Sequence, residues 1–227
     1  MNNFKIIANW KMNGSKEEVK SWINFFKDNV EHKNHSDCFF CPPACYLNNA
    51  NEIISSYNLK LNLGSQDLDP DSDNPSTGGI NGKMLKDLGC DYVLIGHSER
   101  RSLFSEDEEV LLKKLTSAVK HELKVIYCVG ETKEQKERGL ATEAIKIQLK
   151  ILKGLPVDLI SVAYEPVWSI GQGITPSLDS IDEMHQIIKD ELKSILNTEE
   201  NIAISYGGSV SADNAASISL LNSVDGL

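Results

Sequence analysis

Leu159-Ile160-Ser161-Val162-Ala163-Tyr164-Glu165-Pro166-Val167-Trp168 is a short apolar run that stops at a carboxylate and a proline. Its first six residues have the length and the β-branched and aromatic content of a strand. The run is apolar on both faces, as in a parallel strand covered by helices on each side. Pro166 cannot donate to a sheet ladder, so the strand ends here and Glu165 stands at its carboxyl end.

Working outward, seven more runs of this kind occur: Phe4–Ala8, Asp37–Cys41, Leu61–Ser65, Tyr92–Gly96, Lys124–Cys128, Ile202–Ser205 and Ser223–Leu227. Helical patterns separate them, at Lys16–Val30, Leu47–Ser55, Asn81–Leu88, Asp107–His121, Thr142–Lys153, Leu178–Leu196 and Ala212–Leu220. The spacing is plainest in Leu178–Leu196, where Ile181, Met184, Ile187, Ile188, Leu192 and Ile195 fall on one face. Strict alternation of strands and helices implies right-handed crossovers and an α/β fold. Eight units close into a (β/α)8 barrel, and 227 residues fit one such domain over 1–227. The eighth run lies at the end of the chain, so the eighth βα unit is expected to be truncated. Asp67–Pro75, rich in Pro, Asp, Ser and Asn, reads as one long loop after the third strand.

Composition narrows the function. Lysine plus arginine is 23 and aspartate plus glutamate 33, a net charge of −10. That disfavours a nucleic-acid binder, which needs a basic face. An anion site would have to be built locally, from a lysine and backbone N–H groups. Cys38, Cys41, Cys45, Cys90 and Cys128 fit no zinc spacing and read as buried, reduced thiols. His32 and His35 read as solvated, and Tyr57, Tyr92 and Phe104 as core. No signal peptide or membrane span is expected, which places the chain in the cytoplasm.

In parallel α/β folds the chemistry gathers at the carboxyl ends of the strands. There the sequence carries Asn9-Trp10-Lys11-Met12-Asn13-Gly14, Gly96-His97-Ser98-Glu99-Arg100-Arg101, Cys128-Val129-Gly130-Glu131, Glu165-Pro166 and Tyr206-Gly207-Gly208-Ser209. Each has a plainer explanation alone: a solvated lysine, a structural histidine, a turn, a helix cap. Together they put an amide, a cation, an imidazole, a carboxylate and a glycine-rich donor loop at one end of one sheet.

These strings, ANWKMNG, IGHSERR, CVGE, AYEPVWSIGQG and YGGS, closely resemble those of triosephosphate isomerases, in the same order and at similar spacing. The resemblance runs from Phe4 to Leu227. It implies interconversion of dihydroxyacetone phosphate and glyceraldehyde 3-phosphate through an enediolate, in glycolysis and gluconeogenesis, with no cofactor and no metal. Glu165 then resembles the base and His97 the neutral electrophile, a known instance of acid–base tuning in that family. Lys11 resembles the cation, Asn9 the orienting amide and Glu99 the carboxylate that holds Lys11, with an ion pair from Glu99 to Arg100 or Arg101 as its rival. Gly171, Ser209, Gly207 and Gly208 resemble the phosphate donors, and Pro166–Pro176 the lid. The resemblance also implies a homodimer, with Thr77 at the partner contact.

Three departures from the family pattern stand out. The far end of the lid reads Gln172-Gly173-Ile174-Thr175-Pro176, without the usual lysine. The loop tip reads Asn74-Pro75-Ser76-Thr77-Gly78-Gly79, without the usual aromatic and glutamate. The chain given ends before the family's last phosphate-binding glycine pair. The alternative expectation is therefore a barrel fragment that keeps the catalytic groups but grips phosphate weakly.

Overall fold

The structure, a computed structural model, describes residues 4–71, 75–171, 173 and 175–227. Seven strands form one parallel sheet in sequential order: β1 (Ile6–Asn9), β2 (Cys38–Cys41), β3 (Asn62–Ser65), β4 (Tyr92–Ile95), β5 (Lys124–Val129), β6 (Ile160–Tyr164) and β7 (Ile204–Tyr206). The chain belongs to the α/β class and builds a TIM barrel. Its helices are α1 (Lys16–Asn29), α2 (Leu47–Ser56), α3 (Gly82–Asp87), α4 (Ser98–Leu103), α5 (Glu108–Lys120), α6 (Lys133–Glu137), α7 (Ala141–Leu149), α8 (Leu178–Leu196) and α9 (Ala212–Ser219). The short α4 and α6 are additional to the helices expected, because neither has a buried apolar face to mark it.

The eighth run differs from expectation. Ser223 lies in a turn, and only Gly226 bridges to a neighbour on each side, to Lys5 and to Ser205. Even so, Asp225–Leu227 sits between β7 and β1. Lys5 N–H donates to the Asp225 carbonyl at 2.9 Å and Ile7 N–H to that of Leu227 at 2.7 Å. On the other side Tyr206 N–H donates to the Gly226 carbonyl at 2.9 Å. A full ladder is interrupted because side chains take over its bonds: Asp225 Oδ2 accepts from Ile204 N–H at 2.9 Å, and the Ser223 carbonyl meets His185 Nδ1 at 3.2 Å.

Two apolar clusters follow the two faces of the strands. Val125, Tyr127 and Val129 point outward into the larger one, beneath helix residues such as Leu111, Leu115, Ile145 and Ile188. Ile126 and Cys128 point the other way, joining Phe39, Cys41, Leu94 and Ala163 in a cluster made of strand residues alone. That second cluster fills the inside of the ring. With a side-chain period of two, Ile7 inside puts Asn9 inside, and Ala163 inside puts Glu165 inside.

Several surface readings need correction. His35 is buried, its ring packed on Phe26 and its Nε2 2.9 Å from the Val30 carbonyl. Phe104 is 63% exposed and Tyr57 39% exposed, so neither is core. Both lie over cations, Phe104 under Arg100 and Tyr57 under Lys27, which accounts for aromatic rings at the surface. Cys45 is exposed and Cys38 only partly buried, while Cys41, Cys90 and Cys128 are buried as expected.

Candidate active site

A cavity of about 590 Å³ opens at the carboxyl ends of the strands, with Ile7, Leu94, Ile126 and Ala163 as its floor. The side chains of Asn9, Lys11, His97 and Glu165 line it together with Gly171, Gly207, Gly208 and Ser209.

Glu165 follows β6 and is buried. Its backbone N–H donates to the Val129 carbonyl at 2.8 Å, so the end of β5 fixes its height. Gly130 allows this approach: a Cβ there would lie 1.8 Å from the Glu165 carbonyl oxygen. Gly207 allows the side chain its path, since a Cβ there would lie 2.7 Å from Glu165 Cγ. Carboxylate oxygen Oε2 has no hydrogen-bond partner among the described residues. Burial pushes the carboxyl up to about 7, partly countered by the Cys128 thiol and by Lys11.

His97 caps the N-terminus of α4, its Nδ1 accepting from Glu99 N–H at 3.2 Å. A nitrogen that accepts carries no proton, so in the neutral ring the hydrogen sits on Nε2. Nε2 stands 3.5 Å from Glu165 Oε2 across the cavity. Burial first, and the Lys11 charge second, hold the imidazole below its ordinary value and hence neutral.

Lys11 Nζ meets Glu99 Oε1 at 2.6 Å. Arg100 instead pairs with Asp67 and Glu106, and Arg101 with Glu108, so the geometry favours Lys11 over the rival partners for Glu99. The Lys11 backbone is left-handed, φ +51°, unusual for a side chain of this size. Two amides hold it there. Asn9 Oδ1 accepts from Lys11 N–H at 2.9 Å, and Gln66 Nε2 donates to the Lys11 carbonyl at 2.9 Å. Between them Trp10 turns outward, edge-on to Phe40 with ring centroids 5.0 Å apart. This outward anchor leaves Asn9 and Lys11 facing in.

At the far side Ser209 Oγ donates to the Ser169 carbonyl. Thr175 Oγ1 donates to the Ser209 carbonyl at 3.1 Å, and Asn214 Nδ2 donates to both groups, at 3.2 Å and 2.9 Å. The segment 166–176 is thereby tied to the Gly207–Ser209 loop. Its near end is held by Trp168, whose Nε1–H donates to Glu131 Oε1 at 2.6 Å. Tyr164 O–H supports the same buried carboxylate at 3.1 Å.

The family profile described as "Triosephosphate isomerase" matches residues 4–227, every strand of this ring. The chain belongs to the triosephosphate isomerase family. A protein named triosephosphate isomerase in Francisella tularensis subsp. novicida (strain U112) is 38% identical over 226 residues, covering 97% of this chain and 88% of its own. One of the same name in Aquifex aeolicus (strain VF5) is 36% identical, covering 98% and 91%. Another, in Alkaliphilus oremlandii (strain OhILAs), is 38% identical, covering 97% and 90%.

Within this triosephosphate isomerase framework the cavity brings together Asn9, Lys11, His97, Glu165, Gly171, Gly207, Gly208 and Ser209. Glu99 reaches it through Lys11. Thr77 does not belong to it. Thr77 lines a separate cavity of about 430 Å³ with Asp67, Asp69 and Arg100. Gln172, Ile174 and Asn74, also singled out in the sequence, lie outside the described residues. Sequence reasoning missed Gln66, Asn214 and the Cys128 thiol. Glu131, which holds Trp168 and Tyr164, carries a usable signal in its place directly after β5.

Proposed function

We propose that this member of the triosephosphate isomerase family interconverts dihydroxyacetone phosphate and D-glyceraldehyde 3-phosphate in glycolysis and gluconeogenesis. The observation that carries the reading is the buried Glu165 carboxylate, with a free oxygen, facing a neutral imidazole N–H across a cavity. Glu165 takes a proton from the carbon beside the carbonyl and returns it to the neighbouring carbon. Its burial makes it a stronger base than an exposed carboxylate. The carbonyl oxygen gains charge as the enediolate forms, and His97 Nε2–H donates to it. The step needs neither a metal nor a redox cofactor.

Lys11 supplies positive charge beside the developing oxyanion, Asn9 orients the substrate, and Glu99 holds Lys11. Gly171 N–H, Gly208 N–H and Ser209 receive the phosphate, Gly207 N–H being already bonded to the Tyr164 carbonyl at 2.8 Å. Residues 166–176 act as the lid that excludes water. We read 1–227 as one barrel domain and expect a homodimer, with Thr77 near the partner's Lys11. Met12 and Leu103, 95% and 75% exposed, offer the apolar surface for that contact. A mass corresponding to one chain by light scattering at micromolar concentration would count against the dimer. Among the described residues no helix is long and apolar enough to cross a membrane. We place the enzyme in the cytoplasm, where five free thiols stay reduced.

The direct test is Glu165→Asp in a coupled assay of glyceraldehyde 3-phosphate conversion. Withdrawing the carboxylate by one methylene lowers kcat sharply with little change in KM. An unchanged kcat removes Glu165 from the base role.

A further inference from the structure

We infer that Lys136 is a positioning residue of the lid: its ammonium lies on the face of the Trp168 ring and holds the lid in the conformation seen here. The inference rests on the reading of 166–176 as a lid that moves over a bound phosphate.

Lys136 Nζ stands 3.1 Å from the centroid of the Trp168 ring. Trp168 lies in the short 3₁₀ turn Val167–Ser169 that begins the lid. Its indole is therefore held along two directions. The N–H edge is taken by the Glu131 carboxylate, and the π face by the Lys136 ammonium. Each favours one placement of the ring.

Lys136 is set up for this contact. α6 starts with a capping box in which Thr132 Oγ1 accepts from Gln135 N–H and Gln135 Oε1 accepts from Thr132 N–H. That fixes the helix register directly beside Lys136. The neighbouring carboxylates on the same short helix have other cations, Glu134 with Arg138 at 3.2 Å and Glu137 with Lys133 at 3.8 Å. Among the described residues Lys136 pairs with no carboxylate, which leaves its charge to the indole.

The contact is exposed, so its weight is that of a surface cation–π pair. Such a pair biases a two-state equilibrium about two- to five-fold. Lys136 touches no part of the cavity, so its effect must pass through Trp168. Removing the charge while keeping the stem, Lys136→Met, makes the phosphate-closed state easier to reach.

The test is fluorine NMR of the full chain carrying 5-fluorotryptophan at its three tryptophans, titrated with inorganic phosphate, with the Trp168 line assigned by Trp168→Phe. Lys136→Met is expected to tighten phosphate binding about two- to five-fold and to move the Trp168 line toward its phosphate-bound position. Lys136→Arg, which keeps a cation on the ring, is expected to stay close to the unmodified chain. If the Trp168 line responds to phosphate equally in Lys136→Met and the unmodified chain, with equal affinity, the inference falls and the lid stands. Weaker binding in Lys136→Met overturns it too, since Lys136 would then be attracting the anion. If the unmodified chain shows no Trp168 response at saturating phosphate, the lid reading falls and takes the inference with it.

Discussion

The two sides of the cavity are built by different means. On one side Asn9, Lys11, His97 and Glu165 present side chains; Gln66 holds Lys11 and the Val129 carbonyl holds Glu165 from neighbouring strand ends, while Asn9 and His97 bond to backbone N–H groups two residues on. On the other side Gly171, Gly207 and Gly208 can offer only backbone, and the loops that carry them are tied to one another as well as to the strand ends, where Gly207 N–H donates to the Tyr164 carbonyl at 2.8 Å. Proton transfer demands atoms held to a fraction of an ångström on a rigid frame. An anion grip tolerates several N–H directions, and a lid has to move. Under the proposed function, the pocket pairs a side-chain face for proton transfer with a backbone face for the anion.

Removing the electrophile should break the first side most completely. His97→Ala is expected to lower kcat by about 10²–10³-fold, the usual loss for a buried donor to an oxyanion, measured in the coupled assay. A loss below tenfold would mean that His97 only packs the pocket.

The rigidity itself is open to attack at Gly130. A methyl group 1.8 Å from a carbonyl oxygen cannot be accommodated without moving β5 or β6. Gly130→Ala should lower stability by about 3 kcal/mol or more by urea denaturation. Full stability in that variant would show that the two strand ends are looser than their contacts imply.

A pH series sharpens the comparison, because strain is stored only on the rigid side. The Glu165 carboxyl is raised from an ordinary 4.5 to about 7. Below pH 4.5 it is protonated in both folded and unfolded chains, and it costs the fold nothing. Between 4.5 and 7 the unfolded chain ionises first, so stability falls as pH rises. Above 7 the full penalty is present, roughly 3 kcal/mol or less at 1.36 kcal/mol per unit. Glu165→Gln should therefore raise Tm at pH 8 and leave it nearly unchanged at pH 4. A gain that is the same at both values would locate the strain elsewhere.

The smallest effect is expected on the other side. Ser209→Ala removes one hydroxyl that bonds to the Ser169 carbonyl, about 1 kcal/mol for a neutral hydrogen bond. It should raise KM several-fold and leave kcat within about twofold. A kcat loss as large as that of His97→Ala would erase the distinction between the two sides.

Much of this was legible in the chain alone. The apolar runs marked seven strands within a few residues, because strands buried on both faces leave an unbroken apolar signature. The residues at their ends named the side chains that face the cavity. What was illegible involves partners far apart in sequence. Nothing in the sequence joins Gln66 to the Lys11 carbonyl, Trp168 to Glu131 or Asn214 to Thr175. The short helices α4 and α6 also escaped, since neither buries a residue that would mark a face. His35 and Phe104 were misread for a related reason, since burial of a single residue depends on what packs over it.

The sequence by itself determined which groups stand at the strand ends, because a strand's period and its stop signals are local. Only the tertiary structure decided their chemical state. The raised carboxyl of Glu165 and the neutral ring of His97 depend on desolvation, and the left-handed turn at Lys11 on a bond from Gln66 beyond another strand. Those are properties of the space enclosed by the closed ring, and no one segment of chain encloses it.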